Sequence, residues 1–128
     1  MLYCGIPGKC SGLGGDQAVP MDEPNKVRCC TTVQNVGWPQ KCNTIQGVYG
    51  ESNVPGCYSS KTFEEAVAIC GAYPGGRLCS GAEMTDRCTR GTGCQFNKQL
   101  VWGCSPTNLS CQADAECCDG ICSEGRCA

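Results

Sequence analysis

The C-terminal stretch from 101 to 128, VWGCSPTNLSCQADAECCDGICSEGRCA, determines how the rest of this chain is interpreted. Six of its residues are cysteines, and two of the six are adjacent. A disulfide between neighbouring cysteines closes a small, strained ring, so we expect Cys117 and Cys118 to reach different partners. Six cysteines permit many pairings, and their spacing alone selects none of them. The segment is therefore either an effector that binds a target or a staple that closes a small protein.

The composition of the whole chain favours a disulfide scaffold. Sixteen of its 128 residues are cysteines, a fraction above the one that marks such scaffolds. Leu, Ile, Val and Phe together number only nineteen, which is little for a core, while the net charge of −2 is too low for disorder. The length allows one ordinary domain or two or three very small ones. Since each bridge contributes roughly 2–4 kcal/mol, complete pairing of the cysteines would replace the missing core.

Such cysteine density is typical of an oxidising compartment, so we expect a secreted, extracellular or cell-surface protein. The chain has no histidine and no pair of separated C-x2-C knuckles, so we expect no metal site and no cofactor. The start, MLYCGIPGKC, lacks the apolar run of a secretory signal, and we read it as a processed or shortened chain. Acids and bases are interspersed, which predicts neither nucleic-acid binding nor membrane insertion.

Three segments are predicted: an arm at 1–28, a module at 29–103 and a tail at 104–128. The arm is rich in Gly and Pro and shows no helical or strand period, so we predict irregular structure. Cys4 and Cys10 either pin a local loop or tie the arm to the module. Leu2, Tyr3 and Ile6 require burial, and two surfaces can supply it. The arm folds back on its own module, or it extends a sheet of the next copy and builds a homo-oligomer or filament.

The module is predicted to be a small disulfide-rich α+β unit with short strands and two short helices. The stretches VRCCTTVQNV, NTIQGVYGE and KQLVWGC favour strands because they are rich in β-branched or aromatic residues. The pairs Thr62–Glu65 and Ser80–Glu83 form capping boxes that start two helices, the second ending near Arg90. The first helix presents one apolar face, formed by Phe63, Ala66, Val67 and Cys70. The pairing of the ten cysteines before residue 104 stays open; they are Cys4, Cys10, Cys29, Cys30, Cys42, Cys57, Cys70, Cys79, Cys88 and Cys94.

The spacing C-x6-C-x5-CC-x3-C-x4-C, with AECCDGIC at its centre, resembles the inhibitor-cystine-knot (knottin) family. That resemblance implies a knottin-like cystine-knot tail with the bonds Cys104–Cys118, Cys111–Cys122 and Cys117–Cys127, the last threading the ring made by the first two. Channel-directed knottins generally show a basic patch beside exposed aromatics. This tail has no aromatic residue and only one base, Arg126, against four acids: Asp114, Glu116, Asp119 and Glu124. For a protease inhibitor the candidate primary residues are Lys9 and Arg77. We interpret the tail as a staple.

The stretch TFEEAVAICGAYPGGRLCSGAEM resembles the first-helix region of C-type-lectin-like domains. It is still more similar to cysteine-rich repeats of extracellular proteins in algae and marine invertebrates, for which no activity is implied. The matching residues are Arg77, Leu78, Cys79, Glu83, Cys88, Gly91, Thr92, Gly93, Cys94, Val101 and Trp102. Glu23-Pro24-Asn25 repeats the calcium-dependent sugar motif of lectins, but it precedes the first helix, so we read it as a coincidence.

Catalysis lacks support in the sequence. Without histidine, Ser-His-Asp and Cys-His chemistry is excluded. The acids Glu64, Glu65 and Glu83 are sufficiently explained by helix starts, where negative charge is favourable. We therefore expect no catalytic residues and a secreted, non-enzymatic structural or adhesive protein that self-assembles. The alternatives are a knottin-type inhibitor or toxin and a calcium-independent carbohydrate-binding module. Asn108-Leu109-Ser110 is a glycosylation sequon, so Asn108 is the candidate modification site.

Overall fold

The computed structural model describes residues 1–6, 8–10, 12, 16–105, 107–118 and 120–128; Asp119, one of the four acids of the tail, lies outside these ranges. The fold is a small disulfide-rich α+β structure with short strands and two short helices, which confirms the predicted fold class. Its elements are β1 (Leu2–Cys4), β2 (Cys29–Thr31), β3 (Tyr49–Glu51), α1 (Phe63–Gly71), β4 (Arg77–Leu78), α2 (Gly81–Thr85), β5 (Leu100–Trp102), β6 (Cys122–Ser123) and β7 (Arg126–Cys127), with 3₁₀ turns at Phe96–Lys98 and Asp114–Glu116.

Strand β2 lies at the centre of an antiparallel sheet of order β3-β2-β4. The sequence predicted a strand from 27 to 36, whereas β2 is only three residues long and all three are buried. Successive side chains of a strand point to opposite faces. Cys29 therefore bonds Cys70 of α1, and the adjacent Cys30 bonds Cys79 before α2. Two neighbouring cysteines thus fasten one strand to the layers on both of its sides.

Two apolar clusters occupy the two faces of this sheet. One contains Cys29 and Cys70 together with large side chains of the strands and of α1: Leu2, Phe63, Leu78 and Trp102. The other contains Cys30 and Cys79 together with Tyr3, Met84, Phe96 and Val101. Leu2 pairs with Trp102 and Tyr3 with Val101 across β1 and β5, so the strand alternation sends each pair to its own cluster.

Both helices start as predicted. Thr62 Oγ1 accepts the Glu65 amide at 3.3 Å, and the Glu65 carboxylate accepts the Thr62 amide at 3.0 Å. Phe63, Ala66 and Cys70 are buried on the predicted face, and Phe63 meets Trp102 edge to face at 5.4 Å between ring centres. The second helix is shorter than predicted, because it ends at Thr85 and Arg87 already adopts the left-handed conformation.

The prediction of an irregular arm was wrong at its start. Residues 2–4 form β1, which pairs antiparallel with β5 of the same chain; three residues are too few to show a period in sequence. Leu2, Tyr3 and Ile6 are only 2%, 5% and 5% exposed. Of the two surfaces that could bury them, the structure uses the chain's own module. These residues are therefore unavailable for extending a sheet of the next copy.

All sixteen cysteines are paired. The bonds in the first two segments are Cys4–Cys10, Cys29–Cys70, Cys30–Cys79, Cys42–Cys88 and Cys57–Cys94. Those in the tail are Cys104–Cys118, Cys111–Cys122 and Cys117–Cys127. Cys4 and Cys10 thus close a local loop rather than tie the arm to the module. The cysteine density and the bonds fit a small extracellular protein. Within the described ranges, no helix is long and apolar enough to cross a membrane.

Arg28, immediately before β2, is a fully buried cation. Its guanidinium donates to Ser52 Oγ at 2.8 Å, Gly5 O at 3.2 Å, Thr89 Oγ1 at 3.0 Å and Asn97 Oδ1 at 2.8 Å. Burial lowers the pKa of Arg28 to about 10, although the charge of Glu51 opposes the shift, so the group remains charged at neutral pH. One side chain therefore joins the arm to three loops of the module through neutral acceptors.

Replacing Arg28 by Met should lower the free energy of unfolding by about 2–3 kcal/mol, because several buried acceptors lose their donor. The midpoint of guanidinium unfolding, followed by near-ultraviolet circular dichroism, measures the loss. The matched control is Arg126→Met, since Arg126 is exposed and its guanidinium donates to the Asn108 carbonyl at 2.8 Å; this change should cost no more than about 0.5 kcal/mol. Equal midpoints for both variants would contradict the bridging role.

Candidate functional site

Among the described residues, three groups of cysteines and acids lie close enough to resemble metal sites. They are Cys111, Cys117 and Cys122; Cys30, Cys79 and Glu83; and Cys42, Asp86 and Cys88. Every cysteine in them belongs to a disulfide, and only a thiolate is a good metal ligand. Asp86 is engaged elsewhere, because its carboxylate accepts the amides of Thr44 and Ile45, each at 2.8 Å, and holds their loop. The atoms of the three groups lie close together because disulfide bonds hold their cysteines in place.

Glu83 lies in the first turn of α2, where it is buried and forms an ion pair with Arg77. Nη1 and Nη2 of Arg77 each donate to the Glu83 carboxylate at 2.7 Å, and the Ser80 amide donates to the same carboxylate at 2.8 Å. Burial alone raises the pKa of Glu83, but the bonds from Arg77 and Ser80 outweigh it and hold the pKa below its usual range. The carboxylate is thus charged and engaged in bonds that hold the helix start.

The two candidate primary residues of a protease inhibitor are placed differently. The guanidinium of Arg77 is held by Glu83 at the start of α2. Lys9 is exposed, but its amide donates to Ile6 O at 3.1 Å, and the next residue, Cys10, is 8% exposed and bonded to Cys4. The residue that follows Lys9 is therefore buried, whereas a protease-binding loop must present an exposed backbone on both sides of its primary residue.

The lectin-like tripeptide Glu23-Pro24-Asn25 is engaged in local contacts. The Asn25 amide group donates to the Glu23 carboxylate at 2.8 Å, and the Asn25 backbone pairs with Lys61.

The remaining helix-start acids, Glu64 and Glu65, are exposed. Hydrogen bonds from Thr62 lower the pKa of Glu65, which agrees with a capping role. Glu64 is exposed and lies in the first turn of α1.

The tail is fastened to the module at its first cysteine. The Tyr3 hydroxyl donates to Cys104 O at 2.8 Å, and the Cys104 amide donates to Cys79 O at 3.1 Å. The three tail disulfides connect the pairs that the knottin resemblance implied. Strands β6 and β7 form an antiparallel hairpin beside them. The tail is thus closed by its own bonds and joined to the module by hydrogen bonds.

The sequon lies on an exposed turn of the tail. Asn108 is exposed and adopts a left-handed conformation with φ of 73°, which asparagine tolerates better than most residues. Its backbone is held by two bonds, from its amide to Cys127 O at 2.9 Å and from Arg126 to its carbonyl. Ser110, the third residue of the sequon, is also exposed. The acceptor side chain is therefore accessible on a surface turn, as glycosylation requires.

Two open grooves flank the junction of the tail with the module. One, of about 500 Å³, runs between residues 18–21, the start of α1 and the tail, and is lined by Val19, Phe63, Leu109, Ser110 and Glu116 among others. The second, of about 430 Å³, lies between α1, β4 and the tail, and is lined by Val67, Leu78 and Asp114 among others. Since Leu109 and Ser110 line the first groove, a glycan on Asn108 would stand at its rim.

The chain was compared with models of protein families, with curated proteins and with solved structures, and none of the three comparisons found a match.

Sequence reasoning missed the buried Arg28 and its acceptors. The only signal in the sequence is a basic residue inside the run VRCCTTVQNV, between Val27 and Cys29. Charged residues in a short strand usually face water, so the pattern indicates exposure. The acceptors Gly5, Thr89 and Asn97 are far from Arg28 in the chain, and only the closed fold brings them together.

Replacing Glu83 by Gln should lower the free energy of unfolding by about 1–2 kcal/mol at pH 7, because the carboxylate loses its charge while Arg77 is partly exposed. The pKa of Glu83 is depressed in the folded state, so its contribution is full above the ordinary value of 4.5 and is lost as pH falls through the depressed value. Unfolding midpoints of the two proteins should therefore converge as the pH falls below 4.5 and through the depressed pKa of Glu83. Glu64→Gln is the control, and a constant gap at all pH values would contradict the assignment.

Asn108 should carry an N-linked glycan when the chain is made in a eukaryotic secretory pathway. The intact mass, before and after enzymatic removal of N-glycans, measures it. The variant Ser110→Ala destroys the sequon while leaving Asn108 in its left-handed turn, and it should show the unmodified mass. An unmodified wild-type protein secreted by the same cells would contradict this assignment.

Proposed function

We propose that this protein is secreted and acts as a non-enzymatic structural or adhesive component of an extracellular layer, through its surface rather than through catalysis. The proposal is supported by the observation that the cysteines and several charged side chains already form bonds within the fold. All sixteen cysteines are in disulfides, and Arg28, Arg77, Glu83 and Asp86 hold the fold together. A scaffold of this kind resists unfolding and proteolysis outside the cell.

The tail fits the same role as a staple. Cys104 is bonded within the tail and hydrogen-bonded to the module. The tail has four acids, one base and no aromatic residue, so it lacks the basic patch beside exposed aromatics that channel-directed knottins show. A glycan on Asn108, at the rim of the larger groove, adds bulk and solubility to the exposed face of the tail.

A second candidate is a knottin-type effector, either an inhibitor or a toxin, in which Cys117–Cys127 threads the ring made by the other two tail bonds. The observation that favours it is the tail pairing Cys104–Cys118, Cys111–Cys122 and Cys117–Cys127, which is the order that the knottin resemblance implies. The third, a calcium-independent carbohydrate-binding module, relies on the two grooves beside the tail. We place the inhibitor below the structural role, because Arg77 is held in an ion pair and the residue after Lys9 is buried.

A panel experiment on the disulfide-intact protein separates these functions. Under the structural proposal, the protein neither inhibits proteases nor blocks ion channels at micromolar concentration, and it turns over neither glycans nor peptides. Nanomolar inhibition in either panel would establish the effector role instead. Binding to a glycan array that survives EDTA would establish the carbohydrate-binding role. Turnover that is lost in Glu83→Gln and kept in Glu64→Gln would show that the protein is an enzyme.

A further inference from the structure

Two neighbouring runs of the chain contain no charged residue. They are residues 29–40, CCTTVQNVGWPQ, and 66–76, AVAICGAYPGG, and neither contains Asp, Glu, Lys or Arg, although the chain has ten bases and twelve acids. The C-terminal turn of α1, where a basic residue is usually favourable, has none. We call the surface made by these two runs the uncharged end.

The two runs form one braced surface. Asn35 Nδ2 and Thr31 Oγ1 both donate to Pro74 O at 3.2 Å, and Thr31 Oγ1 accepts the Val33 amide at 3.0 Å. Behind these bonds, the rings of Trp38 and Tyr73 lie 5.1 Å apart. These bonds tie the loop to Pro74, which lies just after α1.

The hydrogen-bonded loop exposes apolar side chains to solvent. Val36 is 102% exposed and Val33 is 47% exposed, the first and third most exposed of the four large apolar side chains that are exposed among the described residues. A fully exposed valine adds nothing to the folded core, while the rigid loop under it keeps it from turning inward. A contact made here would therefore lose little conformational entropy on binding and would remove apolar surface from water.

We propose that the uncharged end is a self-association surface, through which two copies of the protein form a two-fold dimer. In a two-fold contact the same patch faces itself, so every charge near the axis meets a like charge. A surface without charges avoids that repulsion, and charged residues are depleted at the centres of protein interfaces. The exposed Gln34 side chain beside Val33 and Val36 supplies an amide that can both donate to and accept from its counterpart.

This inference rests on the proposed structural role and names its partner, a second copy of the chain. It also replaces the arm as the route of assembly, since Leu2, Tyr3 and Ile6 are buried within their own chain. Neither run of the uncharged end includes Asn108.

Sedimentation velocity of the full, disulfide-intact chain from about 10 µM to about 1 mM tests the proposal, because a small interface associates weakly. We expect a concentration-dependent dimer for the wild type and at least about a tenfold weaker association for Val36→Asp. The matched control is Ile121→Asp, which places the same charge on an apolar residue of the tail that is 54% exposed and should leave the dimer unchanged. Unaltered near-ultraviolet circular dichroism verifies that both variants fold.

A charge-pair rescue tests the symmetry. In a two-fold contact centred on this loop, Val36→Asp and Val36→Lys each repel themselves, whereas an equimolar mixture should form a heterodimer again. A wild type that stays monomeric at every concentration would overturn the inference. So would a dimer that survives Val36→Asp, or a monomer that binds neutral phosphatidylcholine vesicles through Val36. A monomer that is silent in the panels above leaves the structural role standing, so the two failures are distinguishable.

Discussion

The adjacent cysteines of β2 are the constraint on which the rest of the structure depends. A strand points neighbouring side chains to opposite faces, so Cys29 and Cys30 fasten α1 on one side and the entrance to α2 on the other. The two apolar clusters form around these two bonds. Neither cluster is large, and each bond closes a long loop of chain, so the covalent links supply much of the stability that a bigger core would provide.

Polar side chains join the remaining segments around the disulfides Cys29–Cys70 and Cys30–Cys79. Arg28 directly precedes Cys29, and its hydrogen bonds tie the arm and three loops of the module to β2. Arg77 and Glu83 fix the link between β4 and α2, and Tyr3 reaches across to the first cysteine of the tail. Arg28, Arg77 and Glu83 therefore hold elements of the fold together, and all sixteen cysteines are bonded. This is the physical basis for proposing a protein that works through its outer surface.

The surface divides into parts with different chemistry. The tail is acidic, carries the exposed sequon at Asn108 and borders two grooves. The end formed by residues 29–40 and 66–76 is free of charge and holds Val36 in water on a braced loop. A face that carries the sequon and an uncharged end that we propose for self-association would suit the proposed component of an extracellular layer.

The sequence by itself determined the fold class, the disulfide scaffold and both helix starts, because these depend on composition and on spacings of three or four residues. Thr62 with Glu65 and Ser80 with Glu83 lie within one helical turn, so their bonds are local. Only the tertiary structure decided the pairing of the ten cysteines before residue 104, the strand at Leu2–Cys4, the burial of Arg28 and the joining of two uncharged runs. Each of these depends on contacts between residues distant in the chain, or on a strand too short to show a period, and closure of the chain rather than local preference selects them.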